Sequence, residues 1–207
     1  MRRATLAVIT ITAAMVAVAS CASTAKPTTA QPAVTAASPA ASSPTPTPTP
    51  SPTPTVRAPF AIGAAWAWES TAATNKISGN STVESYQQDV AHDAPSPEKA
   101  FGAESHGYVW ASLKVKVCSD TTSAKTVSVS SGSWKLAYDD GTIVEPSNTG
   151  YSAFPQPKFP MGDVEMAPGR CVAGAIVFPV PGDKRPARAM YAPASLTDPA
   201  EWNLPAA

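Results

Sequence analysis

The sequence contains little of the material from which active sites are usually built. Its 207 residues include two histidines and three cysteines, and neither His92 nor His106 has the spacing to a cysteine that a zinc site requires. Neither histidine adjoins a nucleophile-elbow pattern, so a serine triad lacks a recognisable base. Phosphate-binding glycine loops and dinucleotide fingerprints are also absent. We therefore expect no catalytic residues, no metal and no cofactor, and a protein that is not an enzyme.

Two short motifs match functional signatures but lack their companions. Ser96 and Lys99 have the Ser-x-x-Lys spacing of penicillin-recognising enzymes, whereas the Ser-Asp-Asn and Lys-Thr-Gly motifs of that chemistry are missing. Asp139-Asp140-Gly141 offers carboxylates to a calcium ion but not the remaining oxygen ligands. We interpret the first motif as a solvated loop. We interpret the second as a hairpin turn, because Asp and Gly accept positive φ at low cost.

Aromatic and acidic residues are missing from the N-terminal part of the chain, and their absence sets a domain boundary. Phe60 is the first aromatic residue and Glu69 the first acidic one. Residues 21–58 are almost entirely Ala, Thr, Ser and Pro, with strict Pro alternation over residues 45–54. Proline fixes φ and disfavours helix in the residue before it, so this segment is predicted to be an extended tether without a core. The domain then spans residues 59–207.

The balanced charge of the whole chain conceals an acidic domain. Four of the fifteen basic residues precede the domain, which leaves it eleven basic against fifteen acidic residues, a net charge of about −4. A mildly acidic domain argues against nucleic acid as a partner.

The N-terminus has the organisation of a secretory signal. Arg2 and Arg3 precede an apolar run over residues 4–20 that lacks charge and proline. A run of about 17 residues is at the lower limit for a membrane span. Its small C-terminal side chains are typical of a cleaved signal peptide, here residues 1–20.

The apolar run closes on Val18-Ala19-Ser20-Cys21, which resembles a bacterial lipobox. The resemblance implies that Cys21 takes a diacylglycerol thioether, with palmitate-type acyl chains, and becomes the first mature residue. An uncleaved anchor and an ordinary signal peptide with an incidental cysteine are the alternatives, and both also place the domain outside the cytoplasm. A diacyl anchor needs no transmembrane helix. We therefore expect a lipoprotein anchored to the outer face of the cytoplasmic membrane and projecting into the cell wall.

The domain has the pattern of short strands and turns. Val115 and Val117 alternate with Lys114 and Lys116, which is the period of two of a strand with one buried face. Convincing helical periodicity is absent, and an all-β fold, an immunoglobulin-like antiparallel β-sandwich, is predicted. We predict strands over residues 62–69, 82–90, 109–117, 133–138, 142–144, 172–180, 187–191 and 201–204, one helical turn over residues 96–101, and a long loop over residues 147–166.

Three segments resemble a known domain. Val-Lys-Val-Cys at 115–118 is followed by Ser-Trp-Lys-Leu-Ala-Tyr-Asp-Asp-Gly at 133–141 and by Ala-Pro-Gly-Arg-Cys-Val-Ala-Gly-Ala-Ile-Val-Phe-Pro-Val-Pro at 167–181. Their order is similar to the telokin-like, immunoglobulin-like domain of many bacterial surface lipoproteins, especially actinobacterial ones. The resemblance covers roughly residues 100–190 and implies an extracellular sandwich whose molecular function is mostly uncharacterised.

Cys118 and Cys171 remain once Cys21 is assigned to the lipid. An even number of remaining cysteines in an oxidising compartment predicts one disulfide, with two reduced thiols as the alternative. Both cysteines lie at strand ends, on the face away from the apolar residues. We therefore predict a bridge between neighbouring strand ends near the surface, unlike the buried inter-sheet bridge of antibody domains.

The tryptophans are the remaining candidates for recognition. Trp66 and Trp68 share one strand face, and we expect Trp66 and Trp134 in the core. Trp110 falls on the polar phase of its strand, which makes it the candidate for a surface binding role.

We predict a non-catalytic module that binds or interacts with a partner such as a surface protein. A carbohydrate- or peptidoglycan-binding accessory module that uses exposed aromatics on cell-wall glycan is the second interpretation. A cell-wall enzyme is the third.

Overall fold

Two four-stranded antiparallel sheets and a two-stranded ribbon form an immunoglobulin-like β-sandwich in the computed structural model, which describes residues 57–70, 74–196 and 199–206. The predicted fold class is confirmed. The predicted signal peptide, Cys21 and nearly all of the tether lie outside the described residues. Within the described ranges, no helix has the length and apolarity needed to cross a membrane.

The main elements of the described residues are strands and one five-residue α-helix, which lies between the second and third strands. They are β1 (Ala65–Glu69), β2 (Ser78–Val90), α1 (Pro97–Phe101), β3 (Tyr108–Ser119), β4 (Val127–Val129), β5 (Trp134–Ala137), β6 (Ile143–Val144), β7 (Val164–Met166), β8 (Cys171–Pro181), β9 (Arg188–Tyr191) and β10 (Ala200–Asn203).

The strands are arranged in two sheets and a ribbon. Sheet one has the order β1-β2-β3-β8, sheet two has the order β10-β9-β5-β6, and β4 pairs with β7 in the ribbon. Phe60 joins the start of the domain to sheet two, because its backbone forms a parallel bridge with Trp202. Phe60 N donates to Glu201 O, and Asn203 N donates to Phe60 O, both at 2.8 Å.

The main core lies between the inner faces of the two sheets. Trp134 and Leu136 of sheet two and Leu113 of sheet one are fully buried. The Trp134 ring stacks on Tyr191, with ring centroids 4.4 Å apart. The expected burial of Trp66 and Trp134 is confirmed, with exposures of 5% and 0%.

All eight predicted strands are present, and the two strands that were not predicted pair with each other. The eight predicted strands appear as β1, β2, β3, β5, β6, β8, β9 and β10, and the predicted helical turn is α1. The loop predicted over residues 147–166 is wrong at its end, where Val164–Met166 forms β7. Its partner Val127–Val129 was assigned to no strand. Three residues are too few to show an alternation, so only the pairing of the two segments defines them.

The outer face of sheet one is open at one end and covered at the other. At the open end Lys114 and Lys116 of β3 are exposed, as the alternation predicts. At the covered end, α1 and the loop after β6 pack over Trp110 and Val177, which lie on the same outer phase. We call this second cluster the outer cap: buried Trp110, Phe154 and Val177, with Val90, Ala91, Ala94, Ala100, Phe101 and Tyr151 packed against them.

Candidate functional site

Cys118 and Cys171 form a disulfide between the end of β3 and the start of β8. The two residues are direct register partners in the antiparallel ladder. Cys171 is exposed and Cys118 is partly buried, both on the outer face of sheet one. The prediction of a bridge between neighbouring strand ends near the surface is therefore confirmed.

Backbone hydrogen bonds continue the pairing beyond the disulfide. Ser119 N donates to Arg170 O at 2.9 Å, and Gly169 N donates to Ser119 O at 3.1 Å. The turn that leads into β8 runs over Ala167-Pro168-Gly169. Arg170 N donates to Ala167 O at 3.1 Å, and Gly169 has φ +75°, which a type II turn requires at that position.

The expected exposure of Trp110 is wrong, because the outer cap encloses its ring. Its exposure is 3%. Its indole Nε1 donates to Pro95 O at 2.8 Å. The rings of Phe154, Phe101 and Tyr151 surround it edge-on, with centroids 5.0, 5.9 and 6.3 Å away. A sugar ring could stack on Trp110 only if this cover moved away.

The Ser-x-x-Lys motif is a helix cap. Ser96 is the N-cap of α1, and its Oγ accepts a hydrogen bond from Lys99 N at 3.3 Å. Ser96 has the geometry of a capping serine, which accepts from an otherwise unpaired helical N–H. The motif therefore lies in the helical turn predicted over residues 96–101, and its interpretation as a loop is wrong.

The two histidines lie on the surface and contact acidic side chains. His106 Nδ1 lies 3.0 Å from Glu98 Oε2, and His92 Nδ1 lies 3.6 Å from Asp89 Oδ1. Across the described ranges, no group of three or more His, Cys, Asp or Glu side chains is placed to hold a metal ion.

The Asp-Asp-Gly segment forms the predicted hairpin turn between β5 and β6. Asp140 Oδ1 accepts from Thr142 N at 2.9 Å, and Gly141 has φ +84°. Hydrogen bonds from the side chain and backbone of Thr142 hold the pKa of Asp140 below its usual value. The Asp140 carboxylate therefore stabilises the turn itself.

A cleft of about 460 Å³ opens between the β4–β7 ribbon and the segment that follows β9. Val127 points inward and is buried, so its neighbours Thr126 and Ser128 lie on the outward phase. Glu165 of β7 pairs with Ser128, and its Oε2 accepts from Thr126 Oγ1 at 2.6 Å. The cleft wall is thus a surface of hydroxyl and carboxylate groups.

The chemistry of this cleft is polar above an apolar floor. Ile77 and Val127, each 4% exposed, form part of the floor. The charged side chains lining it are Asp163, Glu165 and Lys125, a net charge of −1. Its volume falls in the range of small-ligand sites. Sequence reasoning missed this cleft because β4 and β7, which build its wall, were not predicted.

Comparisons with known proteins give two structural likenesses and no family. No protein-family model and no curated protein sequence matches the chain. The crystal structure of MPT63, a secreted protein of Mycobacterium tuberculosis, is similar with 12% sequence identity and a TM-score of 0.49, over 72% of this chain and 98% of the MPT63 chain. The YjhA protein of Bacillus subtilis is 13% identical with a TM-score of 0.46, covering 70% of this chain and 99% of its own. Structural similarities with these sequence identities and TM-scores do not indicate a function.

Proposed function

We propose that the chain is a lipid-anchored, non-catalytic surface lipoprotein that presents an immunoglobulin-like binding module outside the cytoplasmic membrane. The observation that carries this proposal is the order of the chain: a lipobox-like Val18-Ala19-Ser20-Cys21, a proline-rich tether over residues 21–58, and then a sandwich. The disulfide adds support, because such bonds persist mainly in oxidising compartments.

The anchor is tested on the full chain expressed in a bacterial host that is fed an alkyne-labelled palmitate. We expect the wild-type chain to be labelled and to partition with membranes. Cys21→Ala removes the only sulfur that the lipid can use, so this variant should be unlabelled and released or retained as a precursor. Ser20→Ala keeps a small residue before the cysteine and is the matched control. An unlabelled wild-type chain, or an acylated Cys21→Ala variant, would contradict the anchor.

The binding surface that we propose is the cleft beside the β4–β7 ribbon. Carboxylates accept hydrogen bonds without donating them, and Asp163 and Glu165 outnumber the one lysine of the lining. The cleft therefore favours a partner that presents hydrogen-bond donors and positive charge over the apolar floor. The partner we expect is a protein or peptide component of the cell envelope.

This assignment is tested by retention of the full chain on purified cell walls. We expect the double variant Asp163→Asn/Glu165→Gln to lose about fivefold in retention, because charge-assisted hydrogen bonds are replaced by neutral ones. The control, Asp93→Asn/Glu104→Gln, removes the same charge from exposed positions outside the cleft. Equal loss of retention in both double variants would show that the overall charge of the domain, and not the cleft, causes the effect. Retention on glycan strands stripped of peptide would favour the carbohydrate-binding alternative.

A further inference from the structure

We propose that the Cys118–Cys171 disulfide is a thiol-exchange site, at which an external thiol attaches reversibly to Cys171 while the sandwich stays folded. Three observations carry this inference: the exposure of one sulfur-bearing residue, the backbone pairing on both sides of the bond, and the charges around it.

Access to the bond is one-sided. Cys171 is exposed at the start of β8, whereas Cys118 is partly buried on the neighbouring strand. Asn80 of β2 lies beside Cys118 in the sheet, while β8 is the outermost strand of sheet one at this end. Exchange requires a thiolate to approach one sulfur along the bond axis, and access controls its rate. An incoming thiol therefore meets Cys171 first.

Backbone pairing holds the two strands together on both sides of the bond. The β3–β8 ladder contains eleven register pairs, and the cysteines are the last of them. Hydrogen bonds of Ser119 with Arg170 and Gly169 continue the pairing on the far side of the bond. The two strand ends are therefore held in register by the backbone on both sides, and opening the bond leaves the strands adjacent.

The charges near the bond favour thiolates on balance. Lys116 lies two residues before Cys118 on the same face, and Arg170 directly precedes Cys171; both are exposed. Asp120 is the acidic residue close by in the chain. Two cations against one anion stabilise both an approaching thiolate and the thiolate that leaves.

The exchange balances without an added oxidant. A thiolate attacks Cys171 Sγ, the Sγ–Sγ bond breaks, and Cys118 Sγ leaves with the electron pair and takes a proton from water. The product is a mixed disulfide at Cys171 and a free thiol at Cys118. Attack of the Cys118 thiolate on the mixed disulfide restores the original bond and releases the external thiol.

The test uses the full chain carrying Cys21→Ala, so that no other sulfur can react, incubated with reduced glutathione in native buffer. Peptide mapping by mass spectrometry locates the adduct, and circular dichroism follows the fold. We expect about fivefold more adduct on Cys171 than on Cys118, a rate proportional to glutathione concentration, and unchanged circular dichroism. The rate should also be nearly independent of urea below the unfolding transition, since direct attack exposes little new surface.

Two further arms sharpen the result. Lys116→Gln/Arg170→Gln should slow exchange about threefold, because the leaving thiolate loses its nearby cations. Lys114→Gln, two residues further along the same face, is the control and should leave the rate unchanged. Reduced thioredoxin in place of glutathione distinguishes the source of the thiol: a faster reaction per thiolate identifies a protein dithiol, and a slower one a small thiol.

Two outcomes would overturn the proposal. The first is an adduct that forms only as fast as the domain unfolds, with a steep urea dependence. The second is an adduct spread equally over both cysteines, which would show that access through Cys171 does not direct the attack.

Discussion

The main core and the outer cap bury opposite faces of the same two strands, and they do so for different reasons. Leu113 of β3 is buried because sheet two lies over the inner face. Trp110 lies on the opposite face of the same strand, and it is buried because α1 and the loop after β6 pack over it. The inner face is covered along its length, while the outer face opens to solvent from Lys114 onward. The comparison teaches that alternation along a strand predicts which face is buried in the core. Whether the opposite face is also buried depends on which loops pack against it.

The largest effect is expected from the main core. Trp134→Ala removes a fully buried ring that stacks on Tyr191. We expect a loss of about 4 kcal/mol in the free energy of unfolding, because the surrounding sheets cannot close the cavity. Urea titration measures the loss, and hydrogen exchange should show lower protection in both sheets. A loss confined to one sheet would contradict a single shared core.

A smaller and more local effect is expected from the outer cap. Trp110→Ala should cost about 3 kcal/mol, because the covering loop can partly collapse into the space. Faster hydrogen exchange should be confined to residues 95–101 and 147–156, with the inner strands still protected. Trp110→Phe keeps a ring but loses the bond to Pro95, and about 1 kcal/mol should separate it from the wild type. Loss of protection in sheet two would show that cap and core unfold together.

Alkaline titration tests the burial of two tyrosines, Tyr191 and Tyr138. Burial raises the pKa of Tyr191 to about 12, and it also raises the pKa of Tyr138 to about 12. In the unfolded chain a tyrosine ionises near pH 10, so above that pH the unfolded state has released protons that the folded state still holds. The contribution of these tyrosines to the free energy of unfolding should therefore be fully present below about pH 10. It should fall as the pH rises to about 12, by up to about 1.4 kcal/mol per pH unit for each tyrosine. Tyr191→Phe should flatten this fall, as followed by phenolate absorbance and urea titration.

The smallest effect is expected at the edge of the cap. Ser96→Ala removes the hydroxyl that accepts from Lys99 N and should destabilise the chain by about 0.5 kcal/mol, at the low end for exposed caps. Ser96→Asp, which also accepts from the helical N–H, should restore the wild-type value. Hydrogen exchange at the backbone amides of Lys99 and Ala100 is the direct measurement, and it should be faster in Ser96→Ala than in Ser96→Asp. An unchanged Ser96→Ala variant would show that packing on Trp110 alone holds α1.

Much of the fold follows from local patterns. The alternation in β3 and β8 predicted two strands that each have one buried face, and the Asp139-Asp140-Gly141 turn predicted the β5–β6 hairpin. These features rest on the period of two and on the φ that Asp and Gly accept, both of which are readable in a few residues. β4 and β7 are three residues each, and no local pattern identifies a strand that short.

The candidate sites divide in the same way. Cysteine parity and strand phase predicted the Cys118–Cys171 bridge and its surface position. The same phase argument failed for Trp110, since phase tells which face a side chain takes and not what covers that face. The cleft beside the β4–β7 ribbon joins Lys125 and Glu165, forty residues apart in the chain, and no sequence signal connects them.

The amino-acid order alone determined the sandwich class and the pairing of two cysteines, and it predicts a signal, a tether and a domain in that order. Those properties depend on side-chain period, proline content and cysteine parity, which act over short stretches of chain. Tertiary structure alone decided the burial of Trp110, the ribbon of β4 and β7 and the cleft beside it. Each of these arises where segments distant in sequence meet, and such meetings are set by the packing of the whole domain.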